Sequence, residues 1–453
     1  PFSVRGMAPI SVGASARRRE LHPKPIFDEP ALRTFLTGHG VKTVHMARIW
    51  KHVVSQLNES TWPRLDEVPG LPQRIRDALA AEFAVVTSQV VKRSVSELDG
   101  TMKLLIRLQD GHEVEAVVIH HNGEAEHPDQ RQADRCGERD TLCVSSQVGC
   151  RLGCTFCATG TMGLLGNLWP GEIQEQLILA RRQKGHSASI CNVVFMGMGE
   201  PLENFDAVSS AVKGFVDPMR FGLAPSSITV STVGSSPHHM QRMLEELPKI
   251  RLAVSLHAPN QQLREELVPA AKAIPIEKLL QLVDNHVQQT SGEGKRQRTV
   301  MMSYVLLKGV NDSPAHAAEL AALLAGRPVI VNLIPYNAFE GNAHAYEEPS
   351  PQTVDDFLQI LAESDIRVFE RRHHGRDIAA ACGQLAKLEG SPNVCDIDIE
   401  NAGCILNKDL ARRPHAQPQG DCEAPAARHW RTLLAGGVGL AIVATAMAWH
   451  RRR

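Results

Sequence analysis

From residue 141 onward, short apolar runs rich in β-branched residues alternate with longer segments whose apolar positions recur at helical spacing. The runs predict strands at 192–195, 228–231, 252–255, 300–306 and 329–333. The segments between and after them predict helices at 172–182, 238–247, 276–289, 314–324 and 354–363. Strand–helix alternation of this kind indicates a parallel sheet, open or closed into a barrel.

The first part of the chain has a different pattern. Residues 30–84 carry apolar positions at helical spacing, whereas 103–108 and 113–119 alternate as two strands around a turn at Asp110-Gly111. We therefore predict a small helical and β accessory domain over 25–125 and a core domain over 126–385.

Unusual residues follow the predicted strands directly. They are Gly197-Met-Gly-Glu-Pro, Ser231-Thr, Ser255-Leu-His and Pro335-Tyr-Asn. In parallel barrels the active site gathers at the carboxyl ends of the strands, so these runs are expected to converge in space.

Both ends of the chain depart from this pattern. Residues 1–24 contain Arg5 and the run Arg17-Arg-Arg, with no acid before Glu20, which fits either a transit peptide or a disordered tail. Residues 386–429 resemble a linker. Within 430–453, the uncharged apolar run 432–449 fits either a C-terminal membrane anchor or an ordinary terminal helix.

Composition limits the partners. The net charge of -1 gives no global attraction to nucleic acid, so RNA binding requires local basic patches, of which 295–298 and 371–376 are the strongest. Aromatic residues make up only 4% of the chain, which argues against a surface built mainly from stacking platforms. Four of the ten cysteines lie between 143 and 157, a clustering that favours a metal or redox site over a disulfide scaffold.

The run Cys150-Arg-Leu-Gly-Cys154-Thr-Phe-Cys157 places three thiols on one short loop. Three thiolates can hold an iron–sulfur cluster and leave one iron open. Alternatively, Cys143 supplies a fourth thiolate and the site binds structural zinc. The spacing alone leaves both metals open.

A longer set of motifs resembles one family. The runs from Thr141 through Cys157-Ala-Thr-Gly-Thr-Met-Gly, then Gly197-Met-Gly-Glu-Pro-Leu, Ser255-Leu-His-Ala-Pro-Asn, Asn332-Leu-Ile-Pro-Tyr-Asn and Gly375–Leu385 look like the RlmN/Cfr family. These are radical S-adenosylmethionine (SAM) methyltransferases that act on adenosine in ribosomal RNA and, in some members, transfer RNA. The resemblance spans residues 100–385 and implies a partial (βα) barrel beside the N-terminal accessory domain.

The resemblance implies a cofactor site. Cys150, Cys154 and Cys157 match the ligands of a [4Fe–4S] cluster whose open iron chelates SAM. The matching SAM contacts are Gly199, Glu200, Ser231, Ser255, Leu256, His257 and Asn337. Taken singly, these residues also fit structural roles as strand-end hydrogen-bonding residues, a core histidine or a tight turn.

It also implies a catalytic set of Cys382, Cys143 and Glu115. Cys382 takes a methyl group from one SAM, and a radical from a second SAM activates that methyl group for addition to adenine. Cys143 then attacks the sulfur of Cys382, which forms a disulfide and releases the methylated base. Glu115 matches the proton acceptor, although an ordinary strand carboxylate remains an alternative for that residue.

The resulting hypothesis is methylation of C2 of an adenosine in 23S-type rRNA, and of tRNA, with an electron donor for the cluster and an unstacked target base. Methylation of C8 is the close alternative. A zinc-stabilised RNA-binding protein without catalysis and a degenerate family member kept for its membrane tail are the others. The resemblance implies a cytoplasmic enzyme, whereas the two ends of the chain leave an organellar or a membrane-anchored location open.

Overall fold

The computed structural model describes residues 20–121, 139–185, 190–290 and 299–386. Within these ranges the chain forms fourteen β-strands and eleven α-helices. The strands, β1 to β14 in chain order, are Lys24–Pro25, Phe83–Ala84, Gln89–Val95, Met102–Arg107, Glu113–His121, Arg139–Cys143, Gln147–Cys150, Gly163–Asn167, Ile190–Phe195, Ile228–Thr232, Arg251–Ser255, Val300–Leu306, Val329–Pro335 and Arg367–Glu370. The helices, α1 to α11, are Glu29–Gly38, His45–Gln56, Gln73–Glu82, Ala158–Thr161, Pro170–Lys184, Phe205–Val216, Pro237–Glu246, Gln261–Leu267, Ile276–Thr290, Pro314–Leu324 and Pro351–Glu363.

Ten strands form one sheet in the order β14-β13-β12-β11-β10-β9-β6-β5-β4-β3. β6 and the six strands from β9 to β14 are parallel, and helices connect them. β3, β4, β5 and β6 pair in antiparallel fashion, so β3 to β5 extend the parallel part at one side. The predicted α/β fold, a partial (βα) barrel with a helical and β region before it, is confirmed.

All five strands and all five helices predicted after residue 141 are present, with bounds shifted by a few residues. The pattern missed β6, β14, α4, α6, α8 and the β7–β8 hairpin. In β8 the sequence Gly-Leu-Leu-Gly-Asn has no continuous apolar face, and β14 buries none of its four residues. Short strands of this kind form because their neighbours pair with them, which is not visible in their own sequence.

The N-terminal helices have a hydrophobic core of their own. Helices α1, α2 and α3 pack around Ile26, Phe27 and Trp50, and the Trp50 indole N–H donates to the carbonyl of Ile26 at 3.0 Å. Gln174 in α5 donates to the carbonyl of Phe27 at 3.0 Å, and Ile178 joins the same core. This helical region therefore packs directly on the first helix of the parallel part. The predicted domain boundary at 125/126 lies within 122–138, outside the described residues.

Several predicted segments also lie outside the described residues. They are the arginine-rich start at 1–19, the basic run 295–298, and 387–453 with the predicted linker and the apolar run 432–449. In the ranges that are described, no helix is long and apolar enough to cross a membrane.

Candidate functional site

The three clustered cysteines lie on the loop between β7 and α4. Cys150 ends β7, Cys157 precedes the first residue of α4, and Cys154 lies between them. The pairing of β7 with β8 requires glycine at position 149, whose φ is 71°, because a Cβ there would lie 2.0 Å from the carbonyl oxygen of Gly163. The hairpin thus fixes where the cysteine loop begins.

Helix α8 supports the other side of this loop. The backbone N–H of Thr155 donates to the carbonyl of Leu267, the last residue of α8, at 3.0 Å. Cys150 and Phe156 pack in one apolar cluster with Leu267 and Val268. The cysteine loop is therefore held by both backbone hydrogen bonding and apolar contacts.

A cleft opens between the cysteine loop and the carboxyl ends of the parallel strands. It encloses about 960 Å³ of empty space, part of it open to solvent. Ten of the thirteen predicted site residues line it: Cys150, Cys154, Cys157, Gly199, Glu200, Ser231, Ser255, His257, Asn337 and Cys382. Cys143, Glu115 and Leu256 do not line it. The cleft therefore brings the predicted cluster ligands, most of the predicted SAM contacts and Cys382 to one place.

Gly199 lets the chain after β9 pack closely on β7. Its φ is 100°, and a Cβ there would lie 2.6 Å from the Cβ of Gln147. The same Gln147 accepts a hydrogen bond from the backbone N–H of Glu200 at 2.8 Å. This close approach places Glu200 at the wall of the cleft.

Glu200 is almost fully buried, with 3% of its surface exposed. Its carboxylate accepts hydrogen bonds from the Thr232 hydroxyl at 2.5 Å and from the backbone N–H groups of Val233 and Leu202, both at 3.1 Å. Burial raises the pKa of Glu200 to about 6, and these hydrogen bonds oppose the rise. The carboxylate is thereby fixed at the ends of β9 and β10.

Ser231 is the second-last residue of β10, Ser255 is the last residue of β11, and His257 lies two residues beyond it. The two serine hydroxyl oxygens are 3.3 Å apart. His257 has a φ of 62°, a left-handed conformation that is uncommon for a residue with a Cβ, and its Nδ1 accepts from the Val305 N–H at 3.1 Å. Burial lowers the pKa of His257 to about 3, so the ring is neutral and carries its proton on Nε2. Leu256, between them, is fully buried in the main core.

Cys382 lies on the last described segment, after β14. This segment is tied to the cysteine loop, because the Ala158 N–H donates to the Gly383 carbonyl at 2.8 Å. The Asn337 amide donates to the carbonyl of Cys382 at 3.4 Å, and His373 Nδ1 lies 2.8 Å from the Asn337 amide oxygen. Cys382 is thus held at the edge of the cleft that the three clustered cysteines line.

Cys143 ends β6 and is buried behind this edge. Burial raises its pKa to about 12; the Arg371 guanidinium lowers the pKa, and the neighbouring Cys382 raises it. Both thiols are free. Cys143 therefore lies within electrostatic reach of Cys382 while remaining outside the cleft.

Glu115 lies on β5 and is buried next to the segment that bears Cys382. Its carboxylate pairs with the Lys103 ammonium at 3.1 Å, and Lys103 also donates to the carbonyl of Ala379 at 3.2 Å. Burial raises the pKa of Glu115, and the positive charge of Lys103 opposes that rise. Lys103 thus connects the carboxylate to the chain three residues before Cys382.

Comparison with known proteins gives this site a family. Residues 144–321 match the Radical SAM superfamily. The chain is 37% identical over 366 residues to a probable dual-specificity RNA methyltransferase RlmN 2 of Protochlamydia amoebophila, which covers 80% of this chain and 94% of the relative. The chain belongs to the RlmN family. The chain is also 40% identical over 361 residues to a probable dual-specificity RNA methyltransferase RlmN of Rhodopirellula baltica, a match that covers 79% of this chain and 89% of that protein.

A solved structure agrees with this membership. A radical SAM methyltransferase from Sphaerobacter thermophilus superimposes with a TM-score of 0.68 at 36% identity, covering 80% of this chain and 99% of that one. As an RlmN-family enzyme, the protein uses a [4Fe–4S] cluster and SAM.

The residues of the cleft fit these cofactors. Burial raises the pKa values of Cys150 and Cys154, and the neighbouring thiols raise them further, so positive iron is the kind of partner that would hold all three as thiolates. In the described ranges, no group of three His, Cys, Asp or Glu side chains is placed to hold a single metal ion. A cluster differs from a single ion in placing each thiolate on a separate iron.

The basic segment Arg371–Arg376 borders the site, but much of its charge is paired. Arg376 and His373 both contact the Glu348 carboxylate. Arg371 lines both the cleft and a smaller cavity next to Cys382, and Arg372 lines that smaller cavity. Arg371 and Arg372 are therefore the arginines of this segment that line a cavity next to Cys382.

Three residues of the site were missed by the sequence analysis. Lys103 looks like any polar residue of an alternating strand, Thr232 like an ordinary strand end, and Arg264 like a surface residue of a helix. None stands in a motif that points to its role. Their partners, at Glu115, Glu200 and the ends of β10 and β11, come from distant parts of the chain.

Proposed function

We propose that this RlmN-family enzyme methylates C2 of an adenosine in 23S-type rRNA and in tRNA. The observation that carries the proposal is the position of Cys382, hydrogen-bonded through Gly383 to the loop of three cysteines and lining the same cleft. The names of the curated relatives, dual-specificity RNA methyltransferases, support RNA as the substrate class. C8 methylation of the same class of adenosine is the alternative.

In this proposal Cys150, Cys154 and Cys157 hold the cluster. Glu200 accepts the SAM ammonium, and the remaining contacts come from the cleft wall: Gly199, Ser231, Ser255, His257 and Asn337. Leu256 lies behind that wall, so any contact with SAM would involve its backbone. When bound, these cofactors supply a methyl group and a carbon-centred radical. The chain itself contributes orientation, because the Glu200 carboxylate and the His257 ring are fixed by hydrogen bonds before any ligand enters.

Two thiols and one carboxylate complete the proposed chemistry. Cys382 carries the methyl group as a thioether and, after the carbon has bonded to adenine, links the base to the protein. Glu115 takes up the proton that leaves the base. After the adduct has also given up one electron, Cys143 attacks the Cys382 sulfur as a thiolate, so that the carbon–sulfur bond breaks and a disulfide forms. The electron pair of the broken bond stays on the carbon bound to adenine, which takes up a proton and becomes the methyl group. An external reductant must return this disulfide to two thiols.

The RNA itself is expected to contact Arg371 and Arg372. Both line the small cavity beside Cys382, and arginine binds phosphate through paired N–H donors. Phosphate contacts position the RNA without reading its sequence. Because C2 of adenine is hidden in a stacked helix, the target base must be unstacked to reach Cys382.

Nucleoside analysis tests the reaction. The enzyme is purified and reconstituted anaerobically, then incubated with SAM, a reductant and either rRNA or tRNA lacking the modification. Digests are compared with 2-methyladenosine and 8-methyladenosine standards by chromatography and mass spectrometry. We expect 2-methyladenosine from both RNAs. Formation of 8-methyladenosine would replace the C2 assignment, and the absence of both products would refute the proposal.

The same preparation distinguishes an iron–sulfur enzyme from a non-catalytic zinc protein. Iron, sulfide and zinc are counted before the assay, and a reconstituted protein with zinc and no iron would favour the zinc alternative. A natural electron donor is expected to replace the chemical reductant. Loss of methylation in the C382A variant would exclude a family member kept only for another role.

We propose a cytoplasmic location from the family resemblance. Two alternatives concern segments outside the described residues, the arginine-rich start and the apolar run 432–449. Fusing residues 425–453 to a fluorescent reporter tests the anchor, and fusing residues 1–24 tests the transit segment. Membrane or organellar fluorescence would overturn the cytoplasmic proposal.

A further inference from the structure

Arg264 is a fully buried arginine on α8, directly behind the cleft. Its relative exposure is 0%, and it is the largest fully buried side chain among the described residues. Within those residues its Nη1 has no hydrogen-bond partner. A buried guanidinium is costly unless the surrounding structure uses its charge and its donors.

The donors of Arg264 bind the ends of two neighbouring strands. Nη2 donates to the carbonyl of Val233 at 2.6 Å, just beyond β10, and to the carbonyl of Ser255 at 3.4 Å, at the end of β11. Nε donates to the carbonyl of Leu256 at 3.3 Å. These are the two strand ends that present Ser231, Ser255 and His257 to the cleft.

The charge of Arg264 lies beside the cysteine loop. Its guanidinium interacts electrostatically with Cys154 and Glu200. The same helix ends at Leu267, whose carbonyl accepts the N–H of Thr155 at 3.0 Å. Burial lowers the pKa of Arg264 to about 10, which leaves the group charged at neutral pH.

We propose that Arg264 is a positioning residue that aligns the ends of β10 and β11 for SAM and places a fixed positive charge beside Cys154 that makes the cluster easier to reduce. The proposal rests on the assignment of Cys154 as a cluster ligand. One-electron reduction adds negative charge to the cluster. A nearby cation in a low-dielectric interior stabilises the reduced form and raises the reduction potential.

Two substitutions separate the two parts of this role. Lysine keeps the charge but loses the planar fork that binds several carbonyls at once. Methionine keeps the apolar stem and loses the charge. R220M is the matched control, because Arg220 is also a buried arginine, 5% exposed, but pairs with Glu29 and Asp217 outside the cleft.

The four proteins (wild type, R264K, R264M and R220M) are reconstituted anaerobically, and their iron and sulfide are counted. Midpoint potentials are measured by titration with dithionite and electron paramagnetic resonance, and SAM affinity by equilibrium binding. We expect R264M to have a more negative midpoint potential, and R264K to keep a potential near that of the wild type. SAM affinity should fall about 10-fold to 100-fold in both Arg264 variants, the range typical of supporting residues at metal sites. R220M should change neither quantity.

Each part fails on its own result. An unchanged midpoint potential in R264M with full cluster content would overturn the electrostatic role. Wild-type SAM affinity in R264K would overturn the positioning role. Because R264K keeps the buried positive charge, this measurement remains possible even if R264M does not fold. A C154A variant tests the underlying assignment separately: an unaltered cluster signal there would remove Cys154 as a ligand, whatever Arg264 does.

Discussion

At the scale of single residues, the reaction depends on two thiols in different surroundings. Cys382 lines the cleft, whereas Cys143 is buried behind it. If Cys143 resolves the link between protein and RNA, a C143A variant should accumulate RNA joined to Cys382 by a carbon–sulfur bond. We expect a labelled RNA that migrates with the protein on a denaturing gel and survives thiol reductants.

Three comparisons make this result specific. C382A and the double variant should form no adduct, because the carrier thiol is absent. C191A is the matched control, since Cys191 is a half-buried cysteine on β9 that does not line the cleft, and it should turn over like the wild type. Free methylated RNA from C143A at the wild-type rate would show that another group resolves the link.

Lys103 provides a second test at this scale. Burial raises the pKa of Glu115, and the Lys103 ammonium at 3.1 Å opposes that rise. A proton acceptor works only when ionised, so methylation should increase as pH rises through the pKa of Glu115. K103M removes the opposing charge, which should move this acid limb to higher pH, whereas K103R should leave it near its original position.

The measurement is the single-turnover methylation rate from about pH 5 to about pH 9, which extends above the usual pKa of a glutamate. A merely structural role for Lys103 would lower the rate equally at every pH. An acid limb at the same pH in K103M and K103R would therefore contradict the assignment of Glu115 as the proton acceptor.

At the scale of elements, α5 is joined to the chain before β3 through one buried carboxylate. Glu175 accepts four hydrogen bonds, from the backbone N–H and the hydroxyl of both Thr87 and Ser88, at 2.6–3.0 Å. In E175Q an NH₂ group replaces one carboxylate oxygen, and this group cannot accept hydrogen bonds from Thr87 or Ser88. At pH 8 we expect the free energy of unfolding to fall by about 1–3 kcal/mol, the cost of unsatisfied buried donors. Denaturant titration measures it, and the exposed E363Q should change it by less than about 0.5 kcal/mol.

The same carboxylate predicts a pH dependence of stability. Burial raises the pKa of Glu175 from 4.5 to about 7, so the folded state retains a proton that the unfolded chain releases. Its contribution to the free energy of unfolding is therefore fully present below about pH 4.5, decreases as pH rises to about 7, and is constant above that. The difference between wild type and E175Q should follow this course; a difference independent of pH would mean that the pKa of Glu175 is the same in the folded and unfolded states.

Sequence patterns predicted the buried elements better than the edge elements. β12 buries six of its seven residues, and its nearly continuous apolar run predicts a buried strand directly from the sequence. β14 is an edge strand with no buried residue, and the β7–β8 hairpin depends on Gly149 and on pairing with a glycine-rich partner. Elements that are stabilised chiefly by their neighbours have little signal of their own.

At the scale of the whole molecule, the spacing of Cys150, Cys154 and Cys157 predicted a metal site, and the order of the motifs predicted the family. The supporting charges were not predictable. Lys103 reaches Glu115 only because β4 and β5 pair in one register, and Arg264 reaches three carbonyls only because α8 packs behind two strands. Such contacts depend on tertiary structure, so no local pattern contains them.

The cleft lies at the ends of strands from across the parallel sheet, so ligand binding should stabilise the fold as a whole. SAM is expected to bind only when the cluster offers its open iron. At a SAM concentration about 100 times its Kd, binding adds about 2.7 kcal/mol to the free energy of unfolding. Differential scanning calorimetry should therefore show a higher Tm with SAM for the cluster-loaded enzyme and no change for a C150A variant. An equal rise in both proteins would mean that SAM binds through the cleft wall alone, because the protein groups would then supply all of its affinity.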